Sequence, residues 1–264
     1  IMKELKTAIK AVKKASRIVM GYYGKIDYSL KKGTSYSKQL VTKADLEAES
    51  ALFKALNREF PDYNFHGEEK GLVDKKSEYT WLADPISATH NFVHKTPHFA
   101  VVLSLLKKNK PVLAVVLDSF YGELFYAVKG KGAYLGNAKL KVSGISEAKK
   151  ALVTPAFGKK DVNSVKQGIA YSDTLAKLST TRRFGSLALQ LAWIGAGRLD
   201  AFIHNENDFF SLVAGALILE EAGGKVTDFK GKHYSKESKS VVASNGKIHN
   251  QILKIVNAKP RNAQ

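Results

Sequence analysis

Three runs between residues 99 and 130 constrain the fold most: FAVVLSLL (99–106), PVLAVVLDS (111–119) and GELFYAVKG (122–130). They are rich in β-branched and aromatic residues and are divided only by the turn-forming stretches KKNK and SFYG, so they read as consecutive strands. YTWLAD (79–84) precedes them with the same character. Together they predict a sheet of mostly hydrophobic strands, which needs helices packed against it. The preceding sequence supplies two. From residue 2 to 22, Leu5, Ala8, Val12, Ala15, Val19 and Tyr22 recur at alternating threes and fours, the mark of a surface helix with one buried stripe. Residues 45–60 repeat the pattern with Leu46, Ala48, Leu52, Leu56 and Phe60, stop at Pro61, and have Thr42 ahead as a cap.

Beyond residue 140 strands and helices alternate again. KALVTPAF, STTRRFG, DAFIHN and SVVASN read as strands. Helices are predicted over 161–178 and 186–197, over FSLVAGALILEEAGG until Gly223 and Gly224 stop it, and from Lys247 onward. The whole is layered α/β in one globular unit, since 264 residues with 44% hydrophobic content suffice for a large core and no low-complexity tract divides them.

The absence of cysteine excludes disulfides, thiolate metal sites and a cysteine nucleophile, and fits a reducing compartment. No apolar run approaches the length of a membrane span, and the N-terminal region is a charged amphipathic pattern rather than a signal peptide. A cytoplasmic protein with no membrane association is the expectation. The formal net charge is +18, from 42 Lys and Arg against 24 Asp and Glu. Such an excess attracts polyanions and phosphorylated small molecules alike. The lysines fall in scattered pairs, Lys13–Lys14, Lys31–Lys32, Lys107–Lys108, Lys149–Lys150 and Lys159–Lys160, with no aromatic-interleaved module. That predicts a solvated basic surface rather than a dedicated nucleic-acid groove.

Four stretches carry the chemistry: LVTKADLEAE (40–49), FHGEEKG (65–71), WLADPISATHNF (81–92) and FFSLVAGALILEEAGG (209–224). In order and spacing they resemble the inositol monophosphatase family, whose members have an acid in a V-T-x-x-D helix start, a G-E-E, a D-P-[IL]-D-G-T-x-N-F turn, and a W-D-x-A-x-G helix running into E-A-G-G. RRFGSLALQLAWIGAGRLDAF (182–202) and GELFYAVKGKGAYLGN (122–137) extend the resemblance over nearly the whole chain. It implies a five-layer αβαβα sandwich, with an N-terminal lobe over residues 1–140 carrying most metal ligands and a C-terminal lobe over 141–264 closing the site. It also implies a homodimer.

The family's reaction is magnesium-assisted attack of water on a phosphate monoester. Magnesium takes hard oxygen ligands in an octahedron and keeps several waters. A pair of such ions stabilises both the entering and the leaving oxygen of an in-line displacement. Carried over by position, the resemblance assigns Glu68, Asp84 and the Ile86 carbonyl to the first metal. Asp45 and Thr89, with Glu68, are assigned to the attacking water. Gly185, Ser186 and His204 fall at substrate-binding positions. The second metal of the family rests on Asp84 and on acids at the positions of Ser87 and Ser211. Both are serine here, and His204 replaces a substrate-orienting glutamate. The departures gather on the leaving-group side. Ala88 for the family's glycine and Gln190 for a frequent acid are smaller ones.

Neither serine has the His and Asp pattern of a nucleophile around it. His90, His94 and His98 recur every four residues, yet Pro97 interrupts any helix that would align them, so ordinary polar lining is expected; His66 and His204 are placed nearer the pocket. Asp208 precedes Ser211 by three residues and would need an insertion or a shifted helix start to reach the metal. Three functions stay open: an impaired or inactive phosphatase keeping one magnesium, an active phosphatase of altered metal or substrate requirement, and an RNA- or ribonucleoprotein-binding regulator like the family's extragenic-suppressor branch.

Overall fold

The computed structural model describes residues 1–25, 28–30, 40–158 and 161–258; the pairs Lys31–Lys32 and Lys159–Lys160 lie outside them. Helix α1 (Met2–Tyr22) buries the stripe from Leu5 to Val19. A two-stranded ribbon, β1 (Tyr28–Leu30) with β2 (Leu40–Thr42), leads into α2 (Lys43–Glu59). Thr42 caps α2 as expected and the cap is reciprocal. The Thr42 hydroxyl accepts from the Asp45 amide at 3.3 Å, and the Asp45 carboxylate accepts from the Thr42 amide at 2.8 Å.

The first sheet comprises β3 (Asn64–Gly67), β4 (Gly71–Val73), β5 (Tyr79–Ser87), β6 (Ala100–Lys107), β7 (Lys110–Asp118), β8 (Leu124–Val128), β9 (Gly132–Leu135) and β10 (Ala138–Lys139), with a short helix α3 (Thr89–Val93) after β5. Its order is β10-β9-β8-β7-β6-β5-β3-β4, antiparallel except where β3 joins β5. Alternation decides which face meets which layer. Val101, Leu103, Leu105, Leu113, Val115 and Leu117 pack against α1 and α2. Ala100, Val102, Ala114, Val116, Phe125 and Ala127 pack on the other face, against α5 (Leu187–Gly195) and α6 (Phe209–Glu221).

The second sheet holds β11 (Leu152–Ala156), β12 (Thr180–Thr181), β13 (Ala201–His204), β14 (Lys225–Thr227) and β15 (Val241–Ser244), in the order β12-β11-β13-β15-β14. Phe202, Val241 and Ala243 face α5 and α6, while Val153, Ala201, Ile203 and Val242 face α4 (Val162–Leu178) and α7 (His249–Val256). The result is the expected αβαβα sandwich. The middle helices α5 and α6 are apolar nearly all round because both flanks are covered.

Two predicted strands differ. The run 122–130 stops at Val128, where Lys131 to Val128 closes a turn into β9, and the run 179–185 keeps only Thr180 and Thr181 in the sheet. Conversely YTWLAD continues to Ser87, with its register on β6 shifting between Asp84 and Ser87. Pro85 lies in that shift and has no N–H to give a ladder, so the strand bends beside Asp84.

Candidate active site

A cavity of about 390 Å³ opens where the end of β5, the start of α3, the start of α5 and the start of α6 converge. Glu68, Asp84, Ile86, Ser87, Thr89, His204 and Ser211 all line it, as do Gly185, Arg183 and Asp208. Strand β5 delivers Asp84 buried at the cavity floor, and the β3–β4 turn delivers Glu68.

The acids condition one another. Burial first, then the charges of Asp84 and Asp208, hold the Glu68 carboxyl well above the ordinary range. Burial likewise pushes Asp84 up to about 7, with the charges of Asp208 and Asp45 adding to it and the Ser211 hydroxyl opposing it. Asp84 Oδ1 is buried and, among the described residues, accepts no hydrogen bond. Two facing carboxyls, one with an unpartnered oxygen, beside the Ile86 carbonyl, form a hard oxygen set that fits magnesium. Among the described residues no three His, Cys, Asp or Glu side chains cluster closely enough to hold a metal on their own. A magnesium on this set would therefore keep much of its water.

Serines occupy the other side. Ser186 donates to Ser87 at 3.0 Å, Ser87 to Ser211 at 3.4 Å, and Ser211 to Asp84 Oδ2 at 2.6 Å. A chain of three buried hydroxyls thus ends on the carboxylate oxygen that faces α6. Ser186 itself is fully buried behind Ser87 and caps α5 by accepting from the Leu189 amide. Its hydroxyl reaches the cavity only through Ser87. Gly185, at φ +119, leaves room for Asn91, whose amide donates to the Phe184 and His98 carbonyls at 2.6 and 2.8 Å and ties α3 to α5.

Thr89 donates to the Ile86 carbonyl at 3.1 Å, which turns its oxygen lone pairs away from that carbonyl. Asp45 sits one layer deeper, buried in the α2 cap. His204 engages the Glu206 amide through Nδ1, and His66 stacks edge-on to Phe210 at 4.9 Å outside the lining. The every-fourth histidines do not converge: His98 is buried between Phe184 and Trp193, receives the Ser186 amide at Nδ1, and is pushed down to about 4 by burial. Asp208 lines the cavity without any insertion, because the residue ahead of α6 already points its charge at Glu68 and Asp84.

Glu49 escaped the motif reading. It lies one turn after Asp45 on α2, is fully buried, and accepts from the Glu69 and Lys70 amides at 2.8 and 2.9 Å, fixing the turn that carries Glu68. Gly67 is part of that device, since a Cβ there would collide with the Glu49 carboxyl. The i, i+4 spacing of two acids on an otherwise amphipathic helix was the available signal.

Ala88 takes the left-handed conformation, φ +75, that the family's glycine provides freely. A non-glycine residue there costs on the order of 1–2 kcal/mol. Ala88→Gly is expected to stabilise the fold by about 1 kcal/mol, read as a raised denaturation midpoint with an unchanged denaturant slope.

With this geometry in place, the comparisons with known proteins agree on one class. The inositol monophosphatase family model matches residues 2–261, and the chain belongs to that family. Among its relatives, the inositol-1-monophosphatase of Caulobacter vibrioides is 36% identical, covering 95% of this chain and 99% of its own length. The Nus factor SuhB of Pseudomonas aeruginosa is 34% identical, covering 94% of each chain. The solved inositol monophosphatase of Thermotoga maritima superposes with a TM-score of 0.87 at 32% identity, over 97% of each chain.

Proposed function

We propose that this family member is a phosphate-monoester phosphatase that keeps one magnesium position, on Glu68, Asp84 and the Ile86 carbonyl, and is impaired because the second is occupied by hydroxyls. The observation that carries this reading is the 2.6 Å hydrogen bond from Ser211 to Asp84 Oδ2. A second cation would be held there by Asp84 and by whatever stands at positions 87 and 211; here a neutral donor occupies Asp84 Oδ2, and neither Ser87 nor Ser211 offers charge. When bound, magnesium supplies a Lewis acid for a phosphoryl oxygen and its attendant water.

The chain's own groups divide the remaining work. Thr89, held by the Ile86 carbonyl, presents its lone pairs to accept a hydrogen bond from the attacking water. Asp45, fixed by two hydrogen bonds from Thr42, supplies the charge that orients the proton leaving that water. On the opposite side Ser87 and Ser211 can donate hydrogen bonds to a departing alkoxide but cannot compensate its charge as a cation would. Losing one such electrostatic contact costs about 10²–10³ in rate in well-studied cases.

Inositol 1-phosphate turnover at saturating magnesium is the test, run beside the Caulobacter relative. A rate lower by about 10²-fold or more is expected, together with one bound manganese per chain by anomalous scattering. Equal rates, or two closely spaced ions, would overturn the reading.

A further inference from the structure

The net positive charge is less diffuse than the lysine pairs suggested. Helices α1 and α2 pack side by side, and between them runs a groove of about 440 Å³ lined by Lys10, Lys14, Lys54 and Arg58 over a floor of Thr7, Ala11 and Ala55. Lys10 and Lys14 lie one turn apart on α1, and Lys54 and Arg58 one turn apart on α2, so each wall presents cations about 6 Å apart along its axis. All four are exposed. Among the described residues Lys10, Lys14 and Lys54 have no carboxylate within ion-pair distance. The one acid of the groove, Glu59, is shared by Arg58 at 3.4 Å and Lys3 at 3.7 Å. Lys6, Lys13 and Arg17 extend the positive side of α1, whose first-turn Glu4 accepts from Tyr63 at 3.3 Å.

Such a groove has a functional shape. Its small floor residues leave a trough, and cations on opposing walls converge on a rope-like anion rather than on a plane. It holds no aromatic side chain on which a base could stack, so it would grip phosphates without reading sequence. It is also separate from the catalytic cavity: Asp45 begins α2, whereas Lys54 and Arg58 lie about 14 Å or more further along the same helix.

We propose that the α1–α2 groove is a docking site for the phosphate backbone of a nucleic acid, independent of sequence and of the phosphatase chemistry. A labelled RNA hairpin and a DNA duplex of mixed sequence, titrated against the full chain over a series of salt concentrations, test it. Both are expected to bind, with log affinity falling linearly in log salt. K10Q/K14Q/K54Q/R58Q is expected to weaken binding at low salt at least tenfold and to flatten the salt slope by up to about 3.6, since each of four lost phosphate contacts removes roughly 0.9. Phosphatase turnover of that variant should match the parent's. The charge-matched control K139Q/K141Q/K166Q/K230Q should retain both affinity and slope. No binding by the parent, equal losses in the two quadruple variants, or a groove variant that loses affinity for phosphatidylserine vesicles but keeps it for nucleic acid would each overturn the proposal.

Discussion

Restoring both acids, Ser87→Asp with Ser211→Asp, is expected to raise kcat/KM on inositol 1-phosphate by about 10²-fold or more, while either change alone leaves it near the parent value. The non-additivity follows from the hydroxyl chain. Ser211 donates to Asp84 Oδ2, and Ser87 donates to Ser211, so the two serines act as one unit with 3.4 Å between their oxygens. A single aspartate breaks that chain and leaves a second ion with one carboxylate fewer than it needs. Each missing negative charge beside a divalent ion is worth several kcal/mol even at an effective dielectric of about 20. Both acids together release Asp84 Oδ2 from its hydroxyl donor and would supply the charge a second cation requires.

The double variant has a cost that serves as its internal control. Without metal it places two more carboxyls against Glu68 and Asp84, which burial and mutual repulsion already push above the ordinary carboxylate range. Its metal-free form should therefore unfold at lower temperature than the parent, and magnesium should raise its melting point more. A variant that folds, binds two ions and is still no faster than the parent would show that the serines are not what limits turnover.

Much of this site was legible because its elements are anchored by local chemistry. Thr42 and Asp45 form a capping box, which leaves a direct sequence signature. Ser211 could be placed by counting back from Glu221-Ala222-Gly223-Gly224, because a helix fixes its own spacing. Ser87 and Ser211, 124 positions apart, meet at a hydroxyl contact. The parts that escaped depend on partners distant in sequence. Strands β3, β4 and β14 have four residues or fewer, too short to show a period. Ser186 was given a cavity-facing role by position, yet the φ +119 turn at Gly185 sinks it beneath Ser87. Asp208 lies three residues ahead of Ser211 along the chain, which by sequence alone puts it off the metal. In three dimensions, the residue preceding a helix that points into a cavity shares that cavity. The basic groove escaped for the same reason: Lys10 and Lys54 are unremarkable until two helices are laid side by side.

Measured against Asp84→Asn, the parent's metal-free stability is expected to decline as pH rises from about 6.5 to 8, and magnesium is expected to abolish the decline. Asp84 titrates at about 7 in the fold, above the ordinary carboxylate value, and Glu68 is raised in the same direction. A group whose folded pKa is raised contributes stability that is fully present below the unfolded value and is lost as pH climbs through the folded one. The buried histidines His98 and His249, each pushed down to about 4 by burial, work oppositely: they cost stability as pH falls below the ordinary histidine value. Between about 4 and 6.5 the two effects compete. At about 6.5 roughly half of an unfolded histidine is still protonated, so the histidine cost is still fading while the carboxyl loss sets in. The difference between the parent and Asp84→Asn isolates the carboxyl contribution. The loss there is on the order of 1 kcal/mol. Magnesium binds the ionised pair and releases its proton, so its own stabilisation grows over the same interval. Thermal melts in EDTA and in excess magnesium at pH 6.5 and 8 measure both arms. Asp84→Asn keeps the histidines and removes the Asp84 titration, so the parent's melting point in EDTA should fall relative to the variant's across that interval, and magnesium should no longer shift the variant's. A parent whose EDTA melting point tracks that of Asp84→Asn at both pH values would mean that burial does not hold the Asp84 carboxyl above its ordinary range, and the one-metal site would lose the electrostatic tension that makes a cation its natural occupant.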